Sequence, residues 1–189
     1  MAFSLVSRPW RWARWLRAVA ILPLLCGAAS AQGAPEYEVK GVFMYKFGDY
    51  VEWPAAAFDG PGAPFTIGIL GEDPFDGSLD QIVQNRTVQG RPVVIRRFRR
   101  VDEVRRVQIL FLSASEMERW QKDLESLRGT NILTVCDHAV QPGAVITFVL
   151  KDKKVRFEID EDAAGRAGLK LSSKLLSLAT SVRKKGEGA

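Results

Sequence analysis

Histidine occurs once in this chain, at His138, and cysteine twice, at Cys26 and Cys136. A structural zinc site takes four nitrogen or sulfur ligands, so one imidazole with so few thiols does not make one. No apolar run reaches the roughly 20 residues that a permanent membrane-spanning helix needs. Nucleotide-binding loops are missing too. Gly68-Ile69-Leu70-Gly71 has the spacing of neither the dinucleotide fingerprint nor the P-loop, and Glu72, Asp73 and Asp76 put negative charge where a phosphate would sit. An excess of one charge is also lacking outside the first segment. The net charge is +5, from 27 basic and 22 acidic residues, but Arg8, Arg11, Arg14 and Arg17 all precede the first acid. Without those four, 23 basic residues face 22 acidic ones, a net charge of +1 that gives no reason to expect nucleic acid as a partner.

What is present at the start is an address. The four arginines lead into an apolar run from Ala18 to Ala29, and Ala29-Ser30-Ala31 precedes Gln32. This is the three-part pattern of a secretory signal with cleavage after Ala31. Cys26 invites a lipid-anchor reading, but Leu25 stands where a small residue is expected. Residues 1–31 therefore read as a cleaved signal, 32–183 as one domain of ordinary size, and 184–189 as a disordered tail. The processed product is expected in an exported compartment, most simply a bacterial periplasm, without stable membrane insertion. Cys136 is then its one thiol, either a buried small hydrophobe or a site of intermolecular pairing. Its place in Ile132-Leu133-Thr134-Val135-Cys136 favours burial.

The stretch from Tyr37 to Pro54 reads as the opening helix. Val39, Phe43, Phe47 and Tyr50 or Val51 recur at helical spacing as its inner face, with Glu38, Lys40, Lys46, Asp49 and Glu52 on the wet side. Pro54 sets its stop, and Gly41 and Gly48 suggest close packing against a sheet. Phe65–Leu70, Val107–Leu112 and Asn131–Val135 are short apolar runs suited to strands covered on both faces. Phe75–Gln84 reads as a helix with Leu79, Ile82 and Val83 inward. Glu116–Arg128 reads as another, capped by Ser113 or Ser115, with Met117, Trp120, Leu124 and Leu127 inward. Arg86–Val88 and Pro92–Phe98 are extended, turning at Gln89-Gly90. Ala144–Leu150 and Lys153–Ile159 form a hairpin separated by Lys151-Asp152. Asp160 or Asp162 caps a short turn that Gly168 interrupts, and Ser172 caps a final helix carrying Leu175, Leu176, Leu178 and Val182. The fold class is α/β: a single layered domain with a largely parallel central sheet, an antiparallel hairpin edge and helices covering the sheet.

Chemistry has little purchase on this pattern. Cys136-Asp137-His138 places a thiol, a carboxylate and the imidazole side by side, but neighbours on a strand point to opposite faces. Glu158, Asp160, Glu161 and Asp162 read as caps and solvated strand positions rather than a glycosidase pair. Arg96, Arg97, Arg99, Arg100, Arg105 and Arg106, with Asp102 and Glu103 among them, read as a solvated face; the alternative is an anionic partner or membrane surface. Trp53 and Trp120 read as packing residues. No catalytic residue, metal or cofactor is assigned, and the protein is read as not an enzyme.

These segments together resemble the YfiR family of periplasmic proteins, also called the YfiR/HmsC family. Lys40 to Pro54 resembles its opening helix ending in Glu-Trp-Pro, and Phe65 to Phe75 its first strand with a Gly-x-x-Pro-Phe turn. Ile109 to Ser113 resembles its middle strand and Ile132 to Asp137 a Leu-Thr-Val-Ser-Asp-like strand. Val155 to Ala179 resembles its Arg-Phe-Glu-Ile-Asn and Gly-Leu-Lys-Ile-Ser-Ser-x-Leu-Leu-x-Leu-Ala ending. The resemblance implies a homodimeric regulator that binds the periplasmic sensor region of an inner-membrane diguanylate cyclase and holds it inactive, lowering cyclic-di-GMP and biofilm formation. Gln141-Pro142-Gly143-Ala144 departs from the Phe-Ala and Gly-Gly sequence common there. The paired cysteines of some members are missing, so redox switching within one chain is not carried over. Arg156 and Glu158, facing away from the alternation that buries Phe157, and Lys170, before the last helix, are the expected partner patch. The alternative function is a periplasmic binding module for a small ligand or cell-wall fragment.

Overall fold

The computed structural model describes residues 33–137 and 143–184. The expected export signal with cleavage after Ala31, His138, Gln141-Pro142 and residues 185–189 of the expected tail lie outside the described residues. The chain runs α1 (Gly33–Phe47), β1 (Val51–Glu52), β2 (Phe65–Leu70), α2 (Ser78–Val83), β3 (Thr87–Val88), β4 (Arg91–Phe98) and β5 (Ile109–Leu112). It continues through α3 (Trp120–Ser126), β6 (Leu133–Asp137), β7 (Ile146–Lys151), β8 (Lys154–Asp160), α4 (Glu161–Arg166), β9 (Lys170–Leu171), α5 (Ser173–Leu178) and β10 (Ser181–Arg183).

Eight strands form one sheet in the order β10-β8-β7-β6-β5-β2-β4-β3, while β1 and β9 make a separate antiparallel pair. Neighbours from β4 across to β7 are parallel, as are β10 and β8; β3 with β4 and β7 with β8 are antiparallel. The α/β class and the largely parallel sheet expected from the alternation of strands and helices are borne out. Every residue of β2, β5 and β6 is buried, because apolar side chains cover both faces of the sheet. One core lies under α1 and α2 and holds Phe47, Phe65, Phe75, Phe111, Phe148 and Phe157. The other lies on the opposite face around Leu70, Phe98, Leu110, Leu112 and Leu127. Gly68 stands where a Cβ would come within 3.0 Å of Leu110, Phe98 and Val107, so packing explains this glycine without a phosphate.

Several caps and turns follow the residues that specify them. Asp160 Oδ1 accepts the Ala163 N–H at 3.0 Å, and Ser172 Oγ accepts the Leu175 N–H at 3.2 Å, each at a helix start. Gly168, at φ 71°, ends the segment after α4. The β3–β4 turn at Gln89-Gly90 has φ of 49° and 78°, the paired positive values of a tight hairpin. The second hairpin turns at Asp152-Lys153, φ 51° and 59°, one residue later than the charge pattern suggests.

Three expectations are corrected. The opening helix stops at Phe47, well before Pro54. A Cβ on Gly48 would meet Val88 at 2.8 Å and Phe65 at 3.1 Å, and past this close approach the chain turns so that Val51 and Glu52 pair with β9. The predicted Glu116–Arg128 helix is broken: a 3₁₀ turn covers Ala114–Glu116 and the α-helix begins only at Trp120, which leaves Met117 exposed. No side-chain cap holds either start; Ser115 Oγ instead accepts the Glu72 N–H at 3.0 Å. The last helix ends at Leu178, short of Val182, because the Thr180 N–H donates to the Phe157 carbonyl at 2.8 Å and draws the chain into β10 beside β8.

Candidate functional site

Helix α1 organises the site because its hydrophobicity is spread round its circumference instead of lying on one stripe. Such a helix puts apolar side chains on more than one side. Its inner side carries Gly41, Met44 and Phe47, and with them Lys40, which is 1% exposed. Placing Lys40 on the wet side and Val39 inward is therefore corrected: Val39 is exposed and Lys40 is buried. The burial is stable because the ammonium is fully partnered. Lys40 Nζ donates to both Asp137 carboxylate oxygens at 2.7 Å and to Glu36 Oε1, and it stands 4.4 Å from the centre of the Tyr37 ring. Tyr37 Oη donates to Asp137 Oδ2 at 2.6 Å. Burial first, and then the Asp137 hydrogen bond and charge, raise the Tyr37 pKa well above its ordinary value. The network fastens α1 to the carboxyl end of β6, in the middle of the sheet, and so sets the rotation of the helix.

That rotation turns a second apolar face outward. Val39, Val42, Phe43, Phe47 and Tyr50 line a groove of about 370 Å³ closed by Phe157, Leu175 and Leu178, with Lys46 at its side. A neighbouring groove of about 630 Å³ shares Val39 and Phe43 and runs on to Leu150, Lys153, Lys154, Val155 and Arg156 of the β7–β8 hairpin. Val39, Val42, Leu150 and Leu178 are 45–53% exposed, and among the described residues they are most of the large apolar side chains left so open. Singly exposed apolar residues mean little, whereas a contiguous set marks a contact surface. Sequence reasoning assigned α1 a single inner face and missed this one. The available signal was the count of large apolar residues from Val39 to Phe47, too many for one stripe.

Of the patch expected from sequence, Arg156 lies along this groove. Glu158, half-buried, pairs with Thr147 on one side and Ser181 on the other. Lys170 lies on the separate two-stranded sheet beside Glu52. Half of the arginine cluster is neutralised where it stands: Arg97 with Asp73 and Asp80, Arg100 with Asp102, and Arg106 with Asp59. Asp160 caps α4 and also receives Arg183. Trp53 packs edge-on against Phe65 and donates to the Gly48 carbonyl at 3.1 Å. No cluster suited to a metal ion occurs among the described residues, and none of their helices is long and apolar enough to cross a membrane.

Cys136 is 1% exposed, with Sγ 3.3 Å from Thr147 Oγ1. Burial pushes its thiol pKa up from 9.0 to about 11, offset in part by the Thr147 contact. The native state thus holds a proton that the unfolded chain releases between those values, so stability falls as pH rises through that window. The loss is about 2–3 kcal/mol. Urea midpoints at pH 8 and pH 11 are expected to differ more in the native sequence than in Cys136→Ala. Equal differences would show a solvated thiol, as would a covalent dimer on non-reducing electrophoresis.

Comparison with known proteins gives one family. A family model described as DUF4154, YfiR/HmsC-like, matches residues 37–180. No curated protein matches the chain. Among solved structures, an ABC domain in complex with L-Trp from Streptococcus pneumonia is similar at 11% identity with a TM-score of 0.47, over 62% of this chain. The chain spans 55% of that structure's length.

Proposed function

The chain belongs to the YfiR/HmsC-like family, and from that premise we propose that it is a periplasmic regulator that binds the sensor region of an inner-membrane diguanylate cyclase and represses it. The observation that carries the reading is the open apolar face of α1, continuous with the β7–β8 hairpin and α5. A regulator of this kind needs no chemistry of its own. A partner that binds the inactive state more tightly than the active one shifts the population toward inactivity by the difference in affinity. Arg156 belongs to the contact, and Glu158 and Lys170 extend it toward β10 and β9. The homodimer uses a different surface.

Co-expression with a membrane diguanylate cyclase that carries a periplasmic sensor region tests this. Cyclic-di-GMP is expected to fall several-fold when the exported chain is present and to recover on its deletion. Unchanged cyclic-di-GMP in both strains would refute the regulator.

A second reading, capture of a small periplasmic ligand, is favoured by a separate cavity of about 310 Å³ on the opposite face of the sheet, where Arg128, Arg166 and Thr134 stand among Leu124, Ile132 and Val145. A cavity of that size lies at the lower end for small-molecule sites. Saturable calorimetric binding of a periplasmic metabolite, lost in Thr134→Val, would support it, and no heat with any extract fraction would remove it.

A further inference from the structure

We infer that the α1 groove receives an acidic amphipathic helix that contacts it over about two turns and comes from the protein partner, a step that rests on the regulatory reading and gives its contact a chemistry. Three features define the occupant. The floor is apolar and straight: Val39 to Phe47 covers about 12 Å of helix axis, and Phe43 is shared by both grooves. An amphipathic helix laid along such a floor anchors through side chains at i, i+3 or i+4, and i+7. The sides are cationic. Lys46 flanks one groove, Lys153, Lys154 and Arg156 line the other, and Lys174 stands 5.3 Å from the centre of the Tyr50 ring. Glu36 is the carboxylate in that lining, and Lys40 already engages it.

Among the described residues, Lys46, Lys153, Lys154 and Arg156 pair with no carboxylate, unlike Arg97, Arg100 and Arg106 of the 96–106 cluster. These positive charges select among occupants. A second copy of the chain meeting this face symmetrically would set cation against cation. The leader, with Arg8, Arg11, Arg14 and Arg17, repels it as well. An anionic membrane satisfies the charge but not the shape, since a bilayer has no ridge to enter a concave groove. An acidic helix satisfies both, with its apolar stripe on the floor and its carboxylates against the lysines.

The test uses the full processed chain and three probes: a 14-residue Leu/Glu amphipathic helical peptide, the same peptide with Lys in place of Glu, and phosphatidylglycerol vesicles. The acidic peptide is expected to bind in the micromolar range by anisotropy and to weaken as salt rises. It should lose at least tenfold in affinity in the double variant Lys153→Glu/Lys154→Glu and in Val42→Glu, but change less than twofold in Arg99→Glu, an exposed position outside both grooves. Equal binding of both peptides, vesicle binding without peptide binding, or a dimer dispersed by Val42→Glu in sedimentation would each overturn the inference. Val42→Glu in the cyclase strain separates the two claims. Intact repression there ends the groove assignment while the regulator stands, whereas no repression by the native sequence ends the regulator itself.

Discussion

Replacing Lys40 with methionine is expected to lower the unfolding free energy by about 3–5 kcal/mol, the usual result of deleting one member of a buried ion pair. Methionine keeps the length and the apolar stem, so packing against Tyr37 and Phe148 changes little. What is lost is the ammonium that both Asp137 oxygens accept from, at a carboxylate whose side chain is 2% exposed. The deficit comes from leaving that carboxylate's charge buried, not from the strength of the pair itself. Consequently the double variant Lys40→Met/Asp137→Leu is expected to recover more than half of the loss, because an apolar replacement of the whole pair is often close to neutral. Added salt should leave the deficit unchanged, since buried pairs are screened weakly. Urea denaturation of the native chain, Lys40→Met, Asp137→Leu and the double variant gives the cycle directly. A loss below about 1 kcal/mol in the single variant, the range of exposed pairs, would place Lys40 in water.

Lys40 also shows where the sequence was legible and where it was not. Strands β2, β5 and β6 could be read because a run such as Phe65–Leu70 is apolar at successive positions, and only a strand covered on both faces uses that pattern over so short a length. Asp160, Ser172, Gly90 and Gly168 carry local chemistry that acts within three or four residues, so their turns and caps were legible too. The face of α1 was not. Periodicity assumes that a charged side chain seeks water, and the partner that reverses this, Asp137, lies 97 positions away on β6. Once Lys40 is turned inward, Val39 and Val42 must turn outward, so one misplaced lysine hid the groove as well. The last helix failed for a related reason: Val182 continues its apolar pattern, but the free edge of β8 competes for that backbone, and no window of sequence shows an edge. Arg156 could be placed on the wet side of β8 from alternation alone, whereas its neighbourhood with Val39 and Phe43 depends on how α1 crosses the hairpin.

The two faces of α1 should therefore respond to truncation in opposite ways. Phe47 is 1% exposed and meets the rings of Phe157 at 5.1 Å, Phe148 at 5.9 Å and Phe43 at 6.0 Å between centroids. Those contacts join α1 to β7 and β8 at the floor of the groove. Phe47→Ala removes a ring from a site whose walls are themselves aromatic and held by the sheet, so they relax only in part. The expected loss is about 3–5 kcal/mol, lost transfer energy with a residual cavity added. Phe47→Leu, which refills much of the volume, should cost about 1–2 kcal/mol. Val42, five residues earlier and 46% exposed, supplies the contrast: Val42→Ser should change stability by no more than about 0.5 kcal/mol and yet weaken whatever the groove holds. Guanidinium unfolding followed by tryptophan fluorescence measures all three. If Val42→Ser were as destabilising as Phe47→Ala, the outer face of α1 would be core and not surface. If Phe47→Ala cost less than about 1 kcal/mol, α1 would not be seated on β7 and β8, and the groove that it forms with them would not exist.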